Sequence, residues 1–225
     1  MDGQGVPPLA PPTSLPVAGP PAWRECLALA RTAVILTAAL TLVAGLLYPL
    51  AVVGLGQTFF PTQAQGSLVR RGPRVIGSSL IAQSFTSSRY FHPRPSGAGA
   101  GYDPLASGGA NLGPLNIRLL EGSGGDGLPQ LARNYRAANG VPADVRLPPD
   151  AVTRSGSGLD PHISPANASL QVHRVAWARG VSEDSIRRLV AEHTEGRQLG
   201  FLGEPRVNVF ALNLALDAAE EARRR

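Results

Sequence analysis

The chain has 225 residues, 43% of them hydrophobic, and a formal net charge of +5. All 21 of its basic residues are arginine, so P-loop, Schiff-base and kinase-type lysine chemistry are excluded. The arginines are scattered without interleaved aromatics, which argues against nucleic acid as a partner, and the one cysteine, Cys26, rules out both an intramolecular disulfide and a thiolate metal cage.

Residues 1–22 hold seven prolines and almost no charge, a composition that predicts a flexible tail, taken here to reach residue 30. The run Thr32–Gly56 follows, 25 residues without a charge. About 20 helical residues cross a bilayer core of about 30 Å, so residues 31–56 predict one transmembrane helix. The run exceeds the length of a secretory apolar region and continues into Tyr48 and Pro49, which favours an uncleaved anchor. Arg24 and Arg31 precede it, whereas the first basic residue beyond it is Arg70. That asymmetry places the N-terminus in the cytoplasm and the rest of the chain, 57–225, outside it. Small residues Ala38, Thr41 and Gly45 fall at helical spacing and offer a packing face, with Gly45 a candidate partner contact.

From Gln57 to Phe85 short apolar runs at Ser67–Val69, Val75–Ile76 and Leu80–Ile81, broken by Gly and Pro, predict strands. Arg89–Arg94 combines aromatics with arginines, a composition favoured at interfaces; Tyr90, Phe91 and Arg94 are candidate partner contacts. Residues 93–114 predict a long loop and 121–127 a Gly-rich insertion. Helices are predicted over about 128–138, from Ser164 to Gly180, from Ser182 with Ile186, Leu189, Val190 and His193 on one face, and from about Val207 to the C-terminus with Val209, Leu212, Leu216 and Ala219 as its apolar stripe. Strands early and helices late predict an α+β class: one N-terminal transmembrane helix and one mixed soluble domain.

Ser155, Gly156, Ser157, Gly158 and Leu159 form the densest unusual loop, able to present backbone N–H groups and hydroxyls to an anion or a partner. A capped turn between elements is the plainer reading. The residue two before Ser157 is a serine, so no nucleophile elbow is present and no catalytic residue is assigned. His92, His162, His173 and His193 lack metal-ligand spacing, and no metal is expected. The sequon at Asn167 falls inside a predicted helix, and Arg206 reads as a surface residue flanking one.

Seven stretches in order then resemble one family. They are YPL at Tyr48–Leu50, GQTFFPTQAQGSLV at Gly56–Val69, IGSSLIAQSF at Ile76–Phe85, RYFHPRPS at Arg89–Ser96, YDPLASGGANLGPLN at Tyr102–Asn116, SGSGLDPHISP at Ser155–Pro165 and LGEPRVNVFALNLALD at Leu202–Asp217. Together they resemble the C subunit of the bacterial Kdp potassium-transporting P-type ATPase, the KdpC family. The resemblance implies an accessory subunit in the bacterial inner membrane. Its partners would be a potassium-channel-like subunit and a separate ATP-hydrolysing subunit, whose assembly and ATP affinity it supports. It implies no firmly bound cofactor, but ATP contact shared with the hydrolysing subunit, through Ser155–Leu159. The charge asymmetry opposes that contact, because it puts the loop outside the cytoplasm. The alternative is a membrane-anchored extracytoplasmic binding protein or enzyme acting alone.

Overall fold

A computed structural model describes residues 22–122 and 127–224. Residues 1–21 of the expected tail and most of the Gly-rich insertion lie outside them, whereas 22–30, also expected as tail, are helical. The chain divides into two compact units, Met1–Pro61 and Thr62–Arg225.

In the first unit helix α1 (Ala22–Leu40) continues through a π-helical stretch (Thr41–Leu47) into α2 (Tyr48–Phe59). The apolar helix Trp23–Phe59 is long enough to cross a membrane. It runs past the expected limits at both ends, because Gln57–Phe59 stays helical where strand was expected. Apolar sequence in a helix keeps its backbone groups paired internally, and no proline follows Pro49 until Pro61. The π stretch has an identifiable cause. Pro49 has no N–H, and its ring clashes with the carbonyl four residues back, so the ladder there slips by one residue. The Tyr48 N–H accordingly bonds the Val43 carbonyl, five residues earlier.

A short helix, α3 (Pro61–Ala64), leads into the second unit, followed by strands β1 (Leu68–Arg71) and β2 (Arg74–Ser78), an antiparallel hairpin with an irregularity between Val69 and Arg70. Leu80–Ile81, expected as a third strand, is irregular. The Ser78 hydroxyl donates to the Gly66 carbonyl (2.7 Å) and accepts from the Leu80 N–H (3.2 Å), which turns the chain out of the hairpin. Helices α4 (Ile117–Leu120) and α5 (Leu128–Asn139), a 3₁₀ turn at Pro149–Ala151 and strand β3 (His162–Ile163) follow.

Three long helices flank the rest. Helix α6 (Pro165–Arg179) starts on Ser164, whose hydroxyl accepts from the Asn167 N–H, and ends at Gly180 with φ 64°. Helix α7 (Glu183–Glu192) starts on Ser182 in the same way, with Glu183 and Asp184 at its positive end. Strand β4 (Thr194–Glu195), strand β5 (Arg206–Asn208) and helix α8 (Val209–Arg224) complete the fold. Val207, expected in the last helix, is instead the buried centre of a three-stranded antiparallel sheet of order β3-β5-β4.

The core gathers Val172, Val175 and Ala176 of α6, Ile186 and Val190 of α7, Val207 of β5, and Val209, Leu212 and Leu216 of α8 around Phe91. Burying each larger side chain contributes about 1.5–3 kcal/mol. Ala219, expected on the α8 stripe, is exposed. The α+β expectation holds.

Phe91 lies in an irregular strap, residues 88–92, that belongs to no strand. Side chains bond its backbone instead. Asn213 of α8 accepts from the Phe91 N–H (2.8 Å) and donates to its carbonyl (2.9 Å). Gln171 of α6 does the same for His92, at 2.8 and 3.1 Å. Arg174 donates to the carbonyls of Ser88 (2.9 Å) and Tyr90 (2.8 Å), and Arg179 to that of Arg89 (2.7 Å). Buried backbone groups need partners, and here two helices supply them.

Candidate functional site

Residues 153–164, a loop that ends in the short strand β3, span the gap between the 3₁₀ turn and α6. Asp150 fixes its far end, accepting from the Ser164 N–H (2.8 Å), the Ser164 hydroxyl (2.9 Å) and the Asn167 amide (2.9 Å). At the near end Ser155 is buried, Gly156 and Ser157 are exposed, and Gly158 and Leu159 are buried again. The Ser157 hydroxyl accepts from the Leu159 N–H (3.1 Å), closing a tight turn.

A second loop clamps that turn from outside. The Ser157 carbonyl accepts from the Gly108 N–H (2.8 Å) and the Ser107 hydroxyl (3.0 Å). The Gly158 carbonyl accepts from the Ser96 hydroxyl (2.7 Å), and Ser96 Oγ in turn accepts from the N–H groups of Ala98 (3.1 Å) and Tyr102 (2.8 Å). Gly158 must be glycine. Its φ is +69°, and a Cβ there would stand 2.6 Å from the Ala98 nitrogen and 2.7 Å from the Gly108 oxygen.

Arg94 ties the two loops by charge. Its guanidinium donates to the Asp160 carboxylate (3.2 Å), to the carbonyls of Thr153 (3.3 Å) and Arg154 (3.1 Å), and to the Thr153 hydroxyl (3.3 Å). Burial pushes the Asp160 carboxyl up. Hydrogen bonds from His162 and the charge of Arg94 outweigh it, holding the group below its ordinary value. The Tyr102 hydroxyl donates to the Arg94 carbonyl (2.8 Å), and burial pushes its pKa up to about 12. So Arg94 is spent on holding the loops together.

Three cavities border this assembly. One of about 290 Å³ is lined by Asn111, Leu119, Leu131, Val152, Ser155 and Gly156. A more polar one of about 380 Å³ is lined by Ser96, Gly97, Gly101, Arg118 and Arg154. The third, about 600 Å³, has Ile81, Arg94, Ser107, Ser157 and Asp160 on its walls. Among the described residues no three His, Cys, Asp or Glu side chains converge as a metal site would require.

Of the expected contact residues, Arg94 joins the Ser155–Leu159 loop and the others do not. Phe91 is fully buried, so its side chain belongs to the core rather than to an exposed surface. Tyr90 donates its hydroxyl to Asp217 (3.1 Å) and lies under the Arg179 guanidinium, 5.0 Å from the ring centre. Burial and Asp217 raise its pKa. Gly45 lies in the first unit, within the π-helical stretch. Arg206 sits on β5 and pairs with Glu195 (2.9 Å). Asn167 is buried and bonded to Tyr135 (2.7 Å), which leaves the sequon no room for a glycan. Sequence reasoning missed Ser96, Ser107 and Tyr102, although RPS and YDPLASGG carried the signal. It also missed Gln171, Arg174 and Asn213, whose mark is a polar residue on an otherwise apolar helix face.

The two loops thus lock motif to motif, RPS and ASGG against SGSGLD. A family profile described as "KdpC: K+-transporting ATPase, c chain" matches residues 30–218, spanning the long helix and both loops. The chain belongs to the KdpC family. It is 55% identical over 177 residues to the potassium-transporting ATPase KdpC subunit of Mycobacterium tuberculosis, covering 79% of this chain and 91% of that one. The KdpC subunit of Koribacter versatilis is 51% identical over 189 residues (84% and 94% covered), and that of Rhodospirillum rubrum 55% over 195 (83% and 94%). KdpC membership fits a membrane-anchored chain, with one apolar helix preceding the folded unit.

Proposed function

We propose that this chain is an accessory, non-catalytic subunit of a K+-transporting ATPase, holding its folded unit outside the cytoplasm and stabilising the assembly of the channel-like and ATP-hydrolysing subunits. The carrying observation is that the family match extends from residue 30 to residue 218, through anchor and domain alike. Support comes from chemistry as well. The chain has no lysine, which the phosphorylation motif of a P-type pump requires, and the one helix long and apolar enough to span, among the described residues, cannot enclose a pore. The positive-inside asymmetry of Arg24 and Arg31 supports the orientation. Co-expression with the other two subunits tests the reading: omitting this chain should lower the recovery of the assembled pair and raise its KM for ATP. Unchanged recovery and KM would refute it. Gly45→Leu should loosen the same assembly while leaving the domain folded; an intact mutant complex would show that Gly45 is not at the contact.

A second reading, direct ATP contact shared with the hydrolysing subunit, has one observation in its favour. Arg118 and Arg154 line a glycine-walled cavity beside Ser155 and Gly156, a setting suited to phosphate oxygens. Orientation decides between the two. A cysteine at Ser157, in a chain with Cys26 replaced, should react with an impermeant thiol reagent from outside intact cells. Labelling only after the cytoplasm is opened would favour ATP contact.

A further inference from the structure

The hairpin β4–β5 ends in a tip that the roles above leave unused. Gln198 and Leu202 close it with a reciprocal pair of backbone bonds, each 2.9 Å. Leu199, Gly200 and Phe201 form the turn between them. The side chains there are large, apolar and outside the core: Leu199 is 83% exposed, Phe201 68% and Leu202 47%. Leu199 also has φ +53°, a conformation that suits glycine and strains a leucine. A bulky residue kept both strained and exposed gains nothing for the fold of this chain. Strain of that kind points to a use for the side chain.

Below the tip, two arginines are spent on glutamates across the strands. Arg197 reaches Glu204 (2.7 Å) and Arg206 reaches Glu195 (2.9 Å). The arrangement is an apolar knob on a charge-neutral collar. Amphipathic segments that lie in a lipid surface are rich in Lys and Arg on the polar side. Here both cations are already paired, and the turn is closed on both sides. A rigid apolar anchor inside a polar, charge-balanced rim is the anatomy of a protein hot spot.

We propose that Leu199, Phe201 and Leu202 form a plug that seats in an uncharged, concave apolar socket on another protein subunit of the ATPase. The inference rests on the assembly role proposed above and names a surface for it. The plug fixes the domain in place, and the Arg197–Glu204 and Arg206–Glu195 pairs ring it and exclude water.

The test uses the full chain co-expressed with the other subunits. Phe201→Ser and Leu199→Ser should each cut recovery of this chain in the complex by at least about tenfold. The detergent-purified variants should keep the far-UV circular dichroism and melting temperature of the wild type. Leu199→Gly, which relieves the φ strain but deletes the side chain, should weaken recovery without loss of fold. Tip variants that assemble like the wild type overturn the plug and leave the assembly role standing. A wild-type chain that does not co-purify overturns both. Phe201→Trp in a Trp23→Phe, Trp177→Phe background, which removes both native tryptophans, adds a direct readout in nanodiscs. Brominated lipid should leave its fluorescence unquenched, and strong quenching would make the bilayer the occupant and overturn the socket.

Discussion

The strap at residues 88–92 and the loop at 153–159 are both irregular backbone held at a defined place, and they are held by opposite means. The strap is gripped by long polar side chains that helices α6 and α8 send into the core, Asn213 and Gln171 each giving and taking one backbone bond. The loop is gripped by other loop: short hydroxyls and bare backbone, with Gly158 pressed against Ala98 and Gly108. The first arrangement is buried at Phe91, so losing either Asn213 bond leaves a buried backbone group without a partner. The second lies beside cavities, where water can replace a lost bond. The comparison teaches where this domain is brittle and where it can be altered without unfolding.

The largest effect should come from cutting the strap. Asn213→Leu keeps the volume but strands the Phe91 N–H and carbonyl in the core, at a cost of about 4 kcal/mol. Denaturant unfolding of the purified chain measures it, and a loss below about 1 kcal/mol would mean that the strap does not depend on α8. Gly158→Ala should cost about 2–3 kcal/mol through its backbone clash and positive φ. That loss should appear as faster amide exchange confined to the two loops, and exchange that rises equally in α6 and α8 would erase the distinction between the regions. Ser96→Ala removes three hydrogen bonds at a partly wet site and should cost only about 1–2 kcal/mol.

The mildest test is pH. Burial, and next the charge of Arg174, hold His92 below its ordinary value of 6.5. Its neutral form is therefore favoured by folding. The resulting stability is fully present above pH 6.5 and is lost as pH falls from there through the folded-state value. Unfolding at pH 7.5 and 5.5 should show that decline, and His92→Gln should flatten it. A decline that persists in the variant would place the sensitive group elsewhere.

What could be read from the sequence was local. Ser164, Ser182, Gly140 and Gly180 mark helix ends by chemistry that acts within four residues, and the helices fall where those residues place them. Strands of two or three residues carry no such mark. His162–Ile163 becomes a strand only because Arg206–Asn208 returns beside it. Phe91 was visible as an aromatic beside arginines. Its burial depends on Asn213, 122 positions later. At the site, Ser155–Leu159 stood out through its own composition, but the loop that clamps it begins at Ser96, 62 residues before its partner Gly158.

The π-helical stretch at Thr41–Leu47 has a geometric corollary for the anchor. Each of its bonds reaches back one residue further than an α-helical bond, so the side chains advance around the axis more slowly there. Residues before and after it are out of angular phase with a regular helix. Ala38 and Gly45, seven apart and aligned in an unbroken helix, are rotated away from each other. The span therefore has two azimuthal frames, joined just before Pro49, and a single neighbouring helix cannot follow one stripe along its full length.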